Sequence, residues 1–342
     1  MPTNLIQIKA FLGKYYQELL YAVSQDKYIK AGLNKFFEQK FIIQSNKAQM
    51  IVDPSLTGLS VVVAGNEIFV SKELYDHEYV NITNSLEHTD SNNPKSLYTP
   101  DAFSTVAYLI CQNHTMFQIV GELEEPIYIK YTSEFETFYN SVIIVNIAEG
   151  LDVEIVEEYE SRSALNSVAN YIIQANAKLS LSTFYRNHLS ALSFCLRNVI
   201  IQDSAKYSHI LFGRGSSNVL DESKIYANNK SSVELLACIN PDQREFHVVV
   251  CILPGSQEYS FFLDHRHVVS GKGVTTFTPI VIGHLPGAAH TSISSLILDH
   301  YAKGFWDEKT EEFLSPIMDR STLERIAGSA RFYNNKTKFL QF

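Results

Sequence analysis

Residues 148–185 read AEGLDVEIVEEYESRSALNSVANYIIQANAKLSLSTFY. Two small turns, Ala148-Glu149-Gly150 and Asn176-Ala177-Lys178, are each followed by an alternating strand, LDVEIVEEY and LSLSTFY. Period-two alternation marks a strand with one face buried. The unit then recurs. Ser204-Ala205-Lys206 precedes YSHILF, and Lys230-Ser231-Ser232 precedes VELLACI. Gly255-Ser256-Gln257 precedes EYSFFL, and Gly287-Ala288-Ala289 precedes HTSISSLIL. The turns fall roughly 25 to 32 residues apart, a period that signals stacked repeats. Between Phe138 and Leu298 there is almost no helical pattern. An antiparallel β-sandwich also gives short strands at regular spacing. Recurrence of the same turn chemistry favours a coil of about two strands per repeat, in which each rung buries its inward face only by stacking on the next. Val, Ile, Leu and Phe are expected to fill the interior.

Outward from this segment the pattern changes. Ile6, Ala10, Leu12, Tyr16, Leu19, Leu20 and Val23 fall at helical spacing. A second helix is expected over Lys27 to Lys40, with Ile29, Leu33, Phe36 and Phe37 on one face. Asp53-Pro54 marks a break. Leu59–Ala64 and Glu67–Val70 read as a hairpin around Gly65-Asn66. The polar stretch HTDSNNPK (88–95) reads as a loop, and Asp101 to Cys111 as a short apolar helix with Pro100 near its start. Strands follow at Thr115–Val120 and Ile127–Tyr131. The expected organisation is a helical or mixed region over 1–100, a β core over 101–318, and a short tail or helical cap over 319–342.

Composition bounds the function. The 342 residues are 45% hydrophobic and 19% charged, with 21 Phe and 19 Tyr, which suits a strand-rich globular chain. A net charge of −9 argues against a nucleic-acid partner. No run of about 18 uninterrupted apolar residues predicts a membrane helix. The N-terminus lacks a signal-peptide layout, and the four cysteines include no C-x-x-C pair, which suits a reducing cytoplasm.

Candidate chemistry is sparse. Cys238, His247 and Cys251 lie close together on neighbouring strands, where thiolate and imidazole could hold iron or a cluster. Two small buried cysteines and a satisfied histidine are the competing reading, and the favoured one. His265 and His267 form an H-x-H on an expected strand, read as exposed or turn histidines. Cys111 and Cys195 sit among apolar neighbours and read as core. His284, His290 and His300 have no metal-ligand spacing. Of the run Glu154, Glu157, Glu158 and Glu160, the residues Glu154, Glu158 and Glu160 alternate onto a solvated outer face. Gly213-Arg214-Gly215 and Gly271-Lys272-Gly273 fit no phosphate-binding loop, so no ATPase signature is present.

The order of elements resembles the SufB/SufD core family. DAFSTVAYLICQNHTMFQIVGELEEPIYIKY carries the likeness through Ala102, Ala107, Pro126 and Ile127, and VIIVNIAEGLDVEIVEEY through Val156, Glu157, Glu158 and Tyr159. NSVANYIIQANAKLSL is similar through Asn166, Ser167, Val168, Ala177 and Leu179. QREFHVVV and the Ser260 strand with HVVSGKG resemble later rungs. HTSISSLILDHYAKG resembles the last rung through Leu296, Leu298, Asp299 and Ala302, and YIKAGLNKFFEQKF an N-terminal helix of the family. The likeness covers about residues 100 to 318 as an ordered succession of weak motifs. Pro316, Ile317 and Met318 begin a segment that the tail DRSTLERIAGSARFYNNKTKFLQF continues without the family's C-terminal signature, and the N-terminal Trp-Lys-Tyr-Thr signature is missing too.

The resemblance implies a right-handed parallel β-helix and a SufD-like, non-enzymatic scaffold subunit. It implies a SufB-type partner, a SufC-type ABC ATPase, and sulfur delivered by a cysteine desulfurase. It further implies a transient iron–sulfur cluster at a partner interface rather than a resident cofactor. A polysaccharide-binding or polysaccharide-acting β-helix protein, or an interaction module without a cluster role, is the alternative.

Overall fold

The computed structural model describes residue 36 and residues 42–43, 49–65, 67–85, 102–111, 114–188, 191–215, 218–241, 245–254, 260–269, 274–281, 288–297 and 303–306; beyond Leu235 it describes the backbone, with side chains at Phe246, Val248 and Val250. The helices expected before Lys40 and the tail over 319–342 lie outside the described residues. The chain begins with β1 (Ile42–Ile43), β2 (Gln49–Asp53), β3 (Ser60–Ala64), β4 (Glu67–Ser71), α1 (Lys72–Tyr75), β5 (Val80–Ser85), α2 (Ala102–Ile110), β6 (His114–Ile119) and β7 (Ile127–Ser133). It continues with β8 (Thr137–Ile147), β9 (Asp152–Ser161), β10 (Ala164–Ile173), β11 (Lys178–Tyr185), β12 (Leu192–Ile201), β13 (Lys206–Gly215) and β14 (Asn218–Ala227). The last described strands are β15 (Ser232–Pro241), β16 (Glu245–Pro254), β17 (Ser260–Val269), β18 (Val274–Val281), β19 (Ala288–Ile297) and β20 (Lys303–Trp306).

From β6 onward the chain alternates between two sheets. One runs β20-β18-β16-β14-β12-β10-β8-β6-β5, and the other runs β19-β17-β15-β13-β11-β9-β7-β3-β4-β2. From β6 and β7 onward every neighbouring pair in both sheets is parallel. Each strand therefore pairs with the strand two elements later, as in a coil wound around a common interior. This is the expected β-solenoid. Phe138 partners Ala164, Ala164 partners Leu192, and Leu192 partners Asn218.

The corner between the sheets explains the repeating turns. Gly150, Asn176, Ser204 and Lys230 take positive φ, at 76°, 60°, 60° and 57°. Each of these four corners thus turns through one left-handed residue, a conformation that glycine and asparagine adopt most readily. The corners also stack: Gly150 N donates to Ala175 O, Asn176 N to Asp203 O, and Ser204 N to Asn229 O. Ala177 and Ala205, just after the left-handed residue, are fully buried.

The N-terminal end is closed by a change of direction. The β3–β4 hairpin forms around Gly65 as expected, and β5 pairs antiparallel with β6. Ser71 caps α1, accepting from Leu74 N at 3.2 Å and donating to Gly58 O at 2.6 Å.

The two sheets differ in burial. β11 alternates strictly, one face in the core and one toward solvent, whereas every residue of β12 is buried. α2 packs on the outer face of the β8–β14 sheet: Phe103 meets Phe194 at 5.0 Å and Phe36 at 5.5 Å, and Phe36 meets Phe138 at 4.8 Å. Asn166 Nδ2 donates to Phe103 O and to Asn140 Oδ1, both at 2.8 Å, so the helix is fastened by a polar contact as well as by aromatic packing. Among the described residues, no helix is long and apolar enough to cross a membrane.

Candidate functional site

Aliphatic side chains do not fill the interior alone. Inward positions alternate along each strand. On β9 they are Val153, Ile155, Glu157 and Tyr159; on β11 they include Thr183 and Tyr185. Cys195 and Arg197 on β12, His209 on β13 and Asp221 on β14 join them. Tyr131, Tyr159 and Tyr185 are in register on three successive windings and stack, with ring centroids 4.5 and 4.7 Å apart.

Arg197 is the centre of the cluster. Its Nε donates to Glu157 Oε2 at 2.8 Å, Nη2 to the same oxygen at 2.6 Å, and Nη1 to Asp221 Oδ2 at 2.5 Å. Arg197 and Glu157 are fully buried, and Asp221 is 1% exposed. Tyr171 donates to Glu157 Oε1 at 2.6 Å, and Thr183 to Oε2 at 3.0 Å. Tyr185 donates to Asp221 Oδ2. His209 Nε2 lies 3.0 Å from Thr183 Oγ1; since that hydroxyl gives its proton to Glu157, the histidine is the donor.

Burial governs the protonation states. It raises the hydroxyls of Tyr131, Tyr159, Tyr171 and Tyr185 well above their usual value, and the neighbouring carboxylates add to this. Burial pushes the Cys195 thiol up to about 12, with Asp221 next in effect, and the Cys111 thiol up to about 12. For Arg197 burial works against the charge, but the acidic side chains that face it outweigh burial and hold the guanidinium protonated. Burial, then the Arg197 charge, drives His209 well below the usual imidazole range. The interior is thus shielded from bulk solvent, and its thiol is unreactive while the windings stay closed.

Cys111 and Cys195 are core residues, as expected. Cys238 lies on β15, in register with Phe212 and Arg266. His247 and Cys251 lie four residues apart on β16, in the other sheet, where Phe246, Val248 and Val250 alternate with them and are core. The strands therefore bring His247 and Cys251 onto one strand face but carry Cys238 on the opposite sheet. His265 and His267 lie on β17, in register with Ala237 and Ile239. Glu154 is exposed and Glu160 partly so on the outer face, as expected, with Glu160 paired to Lys130; Glu158, expected to be solvated there, is buried and pairs with Arg186 at 3.4 Å. Glu157 turns inward.

Sequence reading missed Arg197 and Asp221. The signal was an ionisable residue at an inward phase, between Cys195 and Val199 on β12 and between Val219 and Ile225 on β14. Among the described residues, no group of three or more His, Cys, Asp or Glu side chains could hold a metal.

Among the described residues the architecture is a two-sheet parallel solenoid with buried charged groups in its interior. Residues 130–280, which include β8 through β17, match the family model described as SUF system FeS cluster assembly, SufBD core domain. Residues 130–280 thus carry a SufBD core domain, a domain of the SUF system of iron–sulfur cluster assembly. No curated protein matches the chain.

Proposed function

We propose that the chain is a SufD-like scaffold subunit of a cytoplasmic iron–sulfur cluster assembly complex, without catalytic activity of its own. It pairs with a SufB-type subunit and docks a SufC-type ABC ATPase. The match of the family model across the winding segment carries this reading. Two further observations support it. Both described thiols are sealed in the core and kept protonated, unlike a nucleophile or a sulfur acceptor. The sequence has no phosphate-binding loop, so ATP hydrolysis belongs to the partner. The nascent cluster is cargo received from sulfur that a cysteine desulfurase mobilises, and Cys238, or His247 with Cys251, are the residues this chain would offer it at a partner interface.

The test is co-expression of the tagged chain with SufB-type and SufC-type proteins, followed by affinity purification and size exclusion. A stable complex containing all three is expected. A chain that elutes alone at micromolar concentration in the presence of both partners contradicts the reading.

A further inference from the structure

The charges of the described interior side chains do not balance if every group keeps its ordinary state. Among the described side chains, the titratable groups facing the cluster are Tyr131 from β7, Glu157 and Tyr159 from β9, and Tyr171 from β10. Tyr185 comes from β11, Cys195 and Arg197 from β12, Tyr207 and His209 from β13, and Asp221 from β14. The tyrosines and the thiol are neutral, and so is His209. One guanidinium then faces two carboxyls, and full ionisation would leave one net negative charge in a core shielded from bulk solvent, an arrangement that proteins avoid by neutralising the group.

Hydrogen bonding decides which carboxyl is neutral. Glu157 is equipped as an anion. It accepts from Tyr171 on Oε1, and from Thr183 and two Arg197 nitrogens on Oε2. Asp221 is asymmetric. Its Oδ2 accepts from Arg197 and Tyr185, while Oδ1 is buried without a partner among the described residues. An ionised carboxylate would leave that oxygen bare, whereas a neutral acid carries a proton there and spreads far less charge onto it. The Tyr207 hydroxyl in the same interior is likewise buried without a partner among the described residues.

We propose that Asp221 is a neutral carboxylic acid at neutral pH, protonated on Oδ1, while its Oδ2 ties β14 to β12 by accepting from Arg197. Burial of Asp221 acts in the same direction, raising its affinity for a proton, with Arg197 opposing in part. Loss of the proton puts an uncompensated charge between two windings, so the clamp loosens as pH rises. The inference concerns the interior alone and stands whether or not the assembly partners are those proposed above.

The experiment uses the full chain labelled with aspartate ¹³C at the side-chain carboxyl. Carbon NMR at neutral pH is expected to show one aspartate carboxyl in the protonated position while the others are ionised. Asp221→Asn, which reproduces the neutral acid in shape and hydrogen bonding, should fold, lose that one signal, and resist alkaline loosening better than wild type. A wild-type spectrum with every aspartate ionised overturns the proposal and points to a carboxylate held by buried water. So does a folded D221N protein that keeps the signal, or a D221N chain that cannot fold, because a neutral isostere must replace a neutral acid.

Discussion

Arg197 on β12 grips Glu157 on β9 through two nitrogens, at 2.6 and 2.8 Å, with neither side chain exposed to solvent. They stand forty positions apart in the chain, and a third strand joins through Asp221. Such a contact forms only if the windings are stacked in one register. Ions removed from water gain little net stability even when paired. Their value here is specificity, since a slipped register would strand a charge in the core.

Removing the cation exposes this dependence. Arg197→Met leaves Glu157 buried without a counter-charge and should cost about 3–5 kcal/mol in denaturant unfolding. Replacing Glu157, Arg197 and Asp221 together by apolar residues of similar volume should recover most of that loss. A single R197M variant as stable as wild type would mean that the cluster does not hold the windings.

His209 gives the fold an acid-sensitive limb. Its folded value lies well below the usual one, so the unfolded chain binds the proton first. The stability it contributes is complete above about pH 6.5 and falls by up to about 1.4 kcal/mol per pH unit below it. Asp221 has the opposite sign, because a raised carboxyl favours the folded state as pH falls. The difference between wild type and His209→Leu isolates the histidine; leucine also occupies the register positions on both sides, Leu181 and Leu235. The H209L unfolding profile should lack the acid limb, and an unchanged profile refutes the assignment.

The corner residues make a separate prediction. Ser204 and Lys230 hold positive φ with a Cβ, a conformation that costs about 1–2 kcal/mol. Ser204→Gly and Lys230→Gly should each raise stability by about 1 kcal/mol in equilibrium unfolding, since glycine's greater freedom in the unfolded chain offsets part of the relief. Asn176→Gly should change little, because asparagine tolerates this region.

The fold was legible in the sequence because its signal is local. Turn chemistry and period-two alternation placed β9, β11, β13, β15, β17 and β19 to within a few residues, and the hairpin around Gly65 and α2 followed from the same rules. The charged interior was harder to see. Alternation along LDVEIVEEY already turned Glu157 toward the core, but an inward acid reads as an error until its partner is known. That partner lies on β12, and only the winding offset brings the two together. Cys238 shows the converse. Closeness in the chain suggested a group with His247 and Cys251, and the change of sheet between β15 and β16 separates it from them.

Thiol chemistry follows from burial. In the native protein, Cys111 and Cys195 should resist alkylation at neutral pH and react only after unfolding, as read by mass mapping of labelled peptides. Labelling of Cys195 at the rate of a free thiol would mean that the interior opens under native conditions.

The parallel register itself can be read by cross-linking. Ser180 and Ser208 are partners on β11 and β13, with hydroxyls 3.3 Å apart on the outer face. Neighbouring strands lie about 4.8 Å apart, within disulfide reach. In a chain otherwise free of cysteine, S180C/S208C should form an intramolecular disulfide under mild oxidation, and S180C/F212C, displaced by four residues along β13, should not. Efficient bridging of the displaced pair, with none between positions 180 and 208, would contradict stacked parallel windings and the scaffold built on them.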